Sequence, residues 1–177
     1  EIFWRLQQGE SLNYMEIAHA RLSSLVRNFV VKYGDDYGFD YLNYKPINKN
    51  PRKHPFFKIY DRDNNRMQHL SLLARLLLIE KEGGPAETKD AQVATLIDET
   101  QVENGIGDEV YENEPEARAL LSTLNLLYSI FQDDPILDNK NGLKEFRIEY
   151  FVISVYLLLR HLIHNYVFDQ EEKRVFH

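Results

Sequence analysis

Between residues 67 and 79 the chain reads Met-Gln-His-Leu-Ser-Leu-Leu-Ala-Arg-Leu-Leu-Leu-Ile. Leu70, Leu73, Ala74, Leu77 and Leu78 recur at helical spacing, and the stripe then widens into an almost continuously apolar segment. A helix that is apolar on more than one side must be covered by other elements. The segment stops at Gly83-Gly84-Pro85, where glycine accepts a left-handed conformation and proline cannot continue the helix. A chain built around such a helix needs further helices to wrap it.

The rest of the sequence supplies them. Asn13 and Glu16 have capping-box spacing, and Ile17, Ala20, Leu22, Leu25, Val26, Phe29 and Val30 follow at three- and four-residue intervals. This pattern predicts one helix from 13 to 34. Residues 35–55 contain Gly38, Pro46, Pro51 and Pro55 and read as a long connection, with a short aromatic helix expected near 37–44. Ala91, Ala94, Leu96 and Ile97 predict a helix over 88–103. Asn113-Glu-Pro-Glu116 marks another start, with Asn113 as cap and Leu120, Leu124, Leu127 and Phe131 behind it. A last helix is expected over 143–168, broken near Phe146. No segment alternates between hairpin turns, so strands should be few. The expected fold is all-α: about six helices in an irregular bundle, with little or no strand, forming a single helical domain over 1–177.

Composition narrows the function classes. With 44% hydrophobic and 12% aromatic residues the chain belongs among ordered globular proteins. The absence of cysteine excludes disulfides, thiolate catalysis and cysteine zinc sites, and suits a reducing cytoplasm. The longest apolar run, 150–159, falls far short of the roughly 20 residues that span a bilayer. A net charge of −7 opposes a basic footprint over the whole surface, so contact with DNA has to be local. Acidic residues crowd 80–116 whereas 45–75 is rich in Lys and Arg, which predicts an electrically two-sided surface.

The opening block Phe3-x-Arg5-Leu6-Gln7-x-Gly9-x-x-Leu12-x-x-x-Glu16-Ile17 resembles the second motif of the ParB-like domain in GmrSD-type modification-dependent restriction enzymes. That family usually shows Phe-x-x-x-Asn, a glycine, and Leu-x-x-x-Glu followed by Leu or Ile. The likeness continues in Arg66-Met67-Gln68-His69-Leu70 leading into 72–78, and more faintly around 150–156. Gln7 stands where the family has asparagine, which keeps the carboxamide but moves it by one methylene. The family's preceding motif, Asp-Gly-Gln-Gln-Arg, is not found in the sequence.

The resemblance implies that 1–177 is the helical, carboxyl-terminal part of a larger prokaryotic or viral ParB-like protein. It implies nucleotide-linked recognition or restriction of modified foreign DNA, with a nucleoside triphosphate bound by the longer protein. Phe3, Arg5 and Gln7 would complete the nucleotide pocket, and the partners would be the amino-terminal ParB-like part, DNA and further subunits. This part alone is expected to be non-catalytic. An alternative is a helical interaction or regulatory module, and a third reading is a nucleic-acid-binding module.

Other candidates come from the residues directly. Lys49, Arg52 and Lys53 on a proline-containing loop are candidates for DNA phosphates. His161 and His164 lack the intervening glutamate of a metalloprotease helix. Arg160 and His164 enclose one residue too few for the Arg-x4–6-His motif of HEPN-type ribonucleases. Asp61 and Asp63 open like a calcium loop, but Arg66 and Leu72 occupy the positions that require glycine and glutamate. A turn capped by Asn64 or Asn65 accounts for them, and no metal site is expected.

Overall fold

The computed structural model describes residues 9, 11–40, 45–60, 62–102, 111–132 and 145–166. Six α-helices lie among them: α1 Tyr14–Ala18, α2 Leu25–Gly34, α3 Gln68–Lys81, α4 Asp90–Glu99, α5 Pro115–Phe131 and α6 Glu149–Asn165. The one sheet among the described residues is a two-stranded antiparallel pair, β1 Gly38–Asp40 with β2 Lys45–Ile47, in the register Gly38 to Ile47 and Asp40 to Lys45. The fold is therefore the expected mostly helical, irregular bundle.

Helix α3 sits at its centre. Leu70, Leu72, Leu73, Ala74, Leu76, Leu77, Leu78 and Ile79 are all buried, so every side of the helix is covered. The cover comes from α2, α4, α5 and α6, and burial of each large side chain stabilises the bundle by about 1.5–3 kcal/mol. Gly83, with φ +76, ends α3: its N–H reaches the Glu80 carbonyl at 3.1 Å, and that of Gly84 reaches Ile79 at 3.1 Å. This paired pattern satisfies carbonyls that the last helical turn would otherwise leave open.

Tertiary contacts revise several local expectations. The helix foreseen over 13–34 is two helices. Asn13 and Glu16 do form the capping box of α1, but the chain turns after Ala18 and restarts at Ser24, whose hydroxyl accepts from the Arg27 amide at 3.2 Å. The Ser24 hydroxyl also meets Thr100 Oγ1 at 2.9 Å, and the Leu25 amide donates to the Thr100 carbonyl. These bonds to the end of α4 replace the intrahelical bonds a continuous helix would make. Ile17 and Leu22, which fall at helical spacing in the sequence, are 54% and 58% exposed.

In place of the aromatic helix near 37–44, residues 38–40 form β1, while 41–44 lie outside the described residues. Asn113 belongs to a short 3-10 turn and Glu114 takes the cap position of α5 without a side-chain bond, with Pro115 at the first helical position, where its missing N–H costs nothing. Helix α4 ends at Glu99 rather than 103. Helix α6 starts at Glu149, after a 3-10 turn over Glu145–Arg147.

The connection from 48 to 60 is compact because Asn50 ties it to the end of α2. Its carboxamide donates to the carbonyls of Lys32 at 2.9 Å and Asp35 at 3.0 Å, and accepts from the Arg52 amide at 3.0 Å. Its backbone N–H binds the Asp36 carbonyl at 2.8 Å. Asn50→Ala should cost about 2 kcal/mol, since several buried polar groups lose a partner together. Asn50→Asp should cost at least as much, because a carboxylate cannot donate to the carbonyls of α2. Urea denaturation of both variants checks this, and an Asp variant as stable as the native protein would contradict it.

Candidate functional site

Polar residues gather where α3 begins. Arg66 and Met67 both take left-handed backbone angles, φ 54 and φ 60, a conformation that costs a non-glycine residue about 1–2 kcal/mol. Three contacts hold the turn. Asn13 Nδ2 donates to the Arg66 carbonyl at 2.9 Å, and the Arg66 guanidinium donates to the Ser11 carbonyl at 2.8 Å and to Glu16 Oε2 at 3.2 Å. Glu16 is buried, and its second role is the capping bond from the Asn13 amide at 2.8 Å. Gly9, nearby in sequence, has φ +74, a left-handed conformation that glycine adopts freely.

Beside this junction runs a chain of three ionisable groups. Lys53 donates to Asp36 and approaches His69 Nδ1 at 2.8 Å, while His69 Nε2 meets the Arg62 carbonyl at 2.6 Å. A carbonyl only accepts, so Nε2 carries the hydrogen and Nδ1 is the acceptor for Lys53. The ring stacks on Phe57 with centroids 4.4 Å apart. Burial, with the Lys53 charge adding to it, pushes the His69 pKa down to about 4, so the imidazole is neutral at neutral pH. Burial would raise Asp36, but the Lys53 ammonium outweighs it and holds the carboxyl below its usual range. Asn64 supports the turn by accepting from the His69 amide at 2.9 Å; of the two asparagines offered as cap, it is the one that binds.

A second buried network closes the other end of α3. Glu80 accepts from the Tyr156 hydroxyl at 2.5 Å and from Arg160 Nε at 2.9 Å. Burial and the adjacent carboxylate hold the Tyr156 phenol far above its ordinary pKa, so it remains a donor. Between the two ends, Arg75 reaches Asp90 at 2.9 Å and Glu149 at 3.1 Å, joining α3 to α4 and α6. A shallow depression of about 460 Å³ opens over Arg75, bounded by Thr88, Lys89, Asp90, Ala91 and Tyr150. Arg75 is neutralised on two sides there, so the depression has no net pull on an anion.

The site residues anticipated from sequence divide accordingly. Phe3, Arg5 and Gln7 lie outside the described residues, as does Asp61. Lys49 and Arg52 are exposed. The side chain of Lys53 is only 19% exposed and turns inward onto Asp36 and His69. His161 and His164 make contacts within α6, His164 Nδ1 lying 2.8 Å from the Arg160 carbonyl, and the Arg160 guanidinium is committed to Glu80. No group of three or more potential metal ligands occurs among the described residues, and no helix among them is long and apolar enough to cross a membrane.

Sequence reasoning missed the His69–Lys53–Asp36 chain and the Glu80–Tyr156–Arg160 network. Glu80 carried a usable signal, a carboxylate at the end of an all-round apolar helix. Lys53 carried none, since its partner Asp36 comes from the far side of the hairpin.

Because His69 takes up a proton near pH 4 when folded and near 6.5 when unfolded, the unfolded chain binds the extra proton between those values. Its contribution to stability is complete above about pH 6.5 and is lost as the pH falls toward 4. Tm should therefore drop between pH 6.5 and 5, above the range where ordinary carboxylates titrate. Burial also pushes the His19 pKa down to about 4 and lowers that of His54. His69→Gln should therefore reduce the slope by its own share without abolishing it, and an unchanged slope would show that His69 contributes none of it. No family model, no curated protein and no solved structure matches the chain.

Proposed function

We propose that residues 1–177 form the helical part of a ParB-like protein of the GmrSD type, acting in nucleotide-linked recognition or restriction of DNA and non-catalytic alone. The observation that carries this reading is where the two resembling blocks meet. Leu12 to Ile17 and Arg66 to Leu78 are far apart in sequence, yet Asn13 and Glu16 of one bind Arg66 of the other. Ser11, four residues after Gln7, is held at the same junction by Arg66. A buried carboxylate and two left-handed residues are costly features. Their concentration at a junction that holds Ser11, a few residues after the Phe3-to-Gln7 block in sequence, suits a support for a pocket whose remaining groups come from the amino-terminal ParB-like part. Glu80 and Arg75 of α3 and Glu16 of α1 are each taken up by structural partners.

A second reading, a non-catalytic interaction module, is favoured by one feature. Ile148, Tyr150, Leu158, Ile163 and Tyr166 place large apolar side chains on the exposed surface along α6 and its ends.

Nucleotide-dependent cleavage of modified DNA, assayed with the longer protein and with the 177-residue chain alone, separates the two. The longer protein should turn over and the chain alone should not. In the longer protein, Gln7→Ala should reduce nucleotide-dependent activity roughly two- to tenfold, the loss of one hydrogen bond of about 0.5–1.5 kcal/mol, with Tm nearly unchanged. Turnover by the isolated chain, or a large loss of stability with full activity, would overturn the reading.

A further inference from the structure

Several exposed cations of this acidic chain have a carboxylate beside them. On the open surface Arg21 pairs with Asp98, Lys81 with Glu99 and Lys89 with Glu87. The stretch 49–58 differs. Lys49, Arg52 and Lys58 are exposed and have no ion-pair partner among the described residues. Lys45, opposite Asp40 in the ladder, and Arg118, on α5, share that property but lie outside this stretch.

The stretch is also rigid. Asn50 anchors it to the end of α2, the His54 amide donates to the Tyr33 carbonyl at 2.8 Å, and His54 Nε2 lies 3.1 Å from Asn125 Oδ1 of α5. Lys53, between the exposed cations in sequence, turns inward onto Asp36 and is taken out of the surface. The cations are thus displayed on an ordered scaffold that needs little further ordering on binding.

We infer that Lys49, Arg52 and Lys58 form a contact surface for the phosphate backbone of duplex DNA. This rests on the proposed role in DNA recognition and assigns the surface that carries it. Nine Cα-to-Cα steps lead from Lys49 to Lys58, so their Cα atoms lie at most about 31 Å apart, within one turn of duplex of roughly 34 Å. At physiological ionic strength charges are screened within about 8 Å. The local excess of cations therefore governs contact with a phosphate, and the net charge of −7 does not. A contact made to phosphates is independent of base sequence.

The test is fluorescence anisotropy of a short labelled duplex with the 177-residue chain over a salt series. Each neutralised phosphate adds about 0.9 to the slope of log affinity against log salt. Lys49→Ala, Arg52→Ala and Lys58→Ala should each reduce the slope by about 1, and the triple variant by about 3. Lys81→Ala with Lys89→Ala should leave it unchanged. Circular dichroism confirms that the variants fold. Three results overturn the inference: no binding by the native chain at low salt, an unchanged slope in the triple variant, or an equal loss in the Lys81/Lys89 control. A clear preference for RNA over duplex DNA would also overturn it. If the longer protein cleaves DNA but the triple variant keeps its slope, the surface fails and the functional reading stands. If the slope falls as expected but the longer protein has no nucleotide-linked activity, the reverse holds.

Discussion

A helix with no exposed side cannot satisfy its own polar residues, and that constraint organises this protein. Ser71, His69, Arg75 and Glu80 of helix α3 each find partners elsewhere in the chain, whereas Gln68 Oε1 is buried without one among the described residues. Ser71 meets Tyr14 of α1 at 2.6 Å. His69 meets Lys53 and the Arg62 carbonyl. Arg75 meets Asp90 of α4 and Glu149 of α6, and Glu80 meets Tyr156 and Arg160 of α6. Apolar packing around α3 provides most of the stabilisation, but it is non-directional. The polar contacts are directional, and an unmet buried charge is costly. They therefore select which element lies against which side of α3, where hydrophobicity alone would accept several arrangements.

The same logic explains why the basic character of 45–75 does not translate into a basic surface. Lys53, Arg62, Arg66 and Arg75 all fall in that stretch, yet each is drawn to a carboxylate. The two-sidedness expected from charge counts is reduced to the cations left over, chiefly those of 49–58. On the acidic side Glu80 is likewise withdrawn into the core. Charge composition sets how many ions a surface is able to show; pairing decides how many it does show.

Much of the fold was legible in the residues. Leu70 to Ile79 announced a buried helix, Gly83-Gly84 its end, and Asn13 with Glu16 the start of another. These features are encoded within one or two helical turns, by spacing and capping chemistry. The 13–34 stretch was misread because Ile17 and Leu22 happen to fall at helical intervals while Ser24 and Thr100, distant in sequence, break the helix between them. The hairpin at Gly38 escaped notice for a similar reason: a three-residue strand has too few residues to show alternation. At the candidate site, Lys49 and Arg52 were identifiable as exposed loop cations. The different fate of Lys53 was not, since nothing local distinguishes it from its neighbours.

The sequence by itself determined the class of the protein: helical, without cysteine, centred on 67–79, because those properties follow from periodicity and composition. Only the tertiary structure decided which charges are free. It placed Asp36 against Lys53, Glu16 against Arg66 and Glu80 against Arg160, across separations of 17, 50 and 80 residues. Coulomb attraction and desolvation act on distance in space, and distance in space is what a linear pattern does not contain.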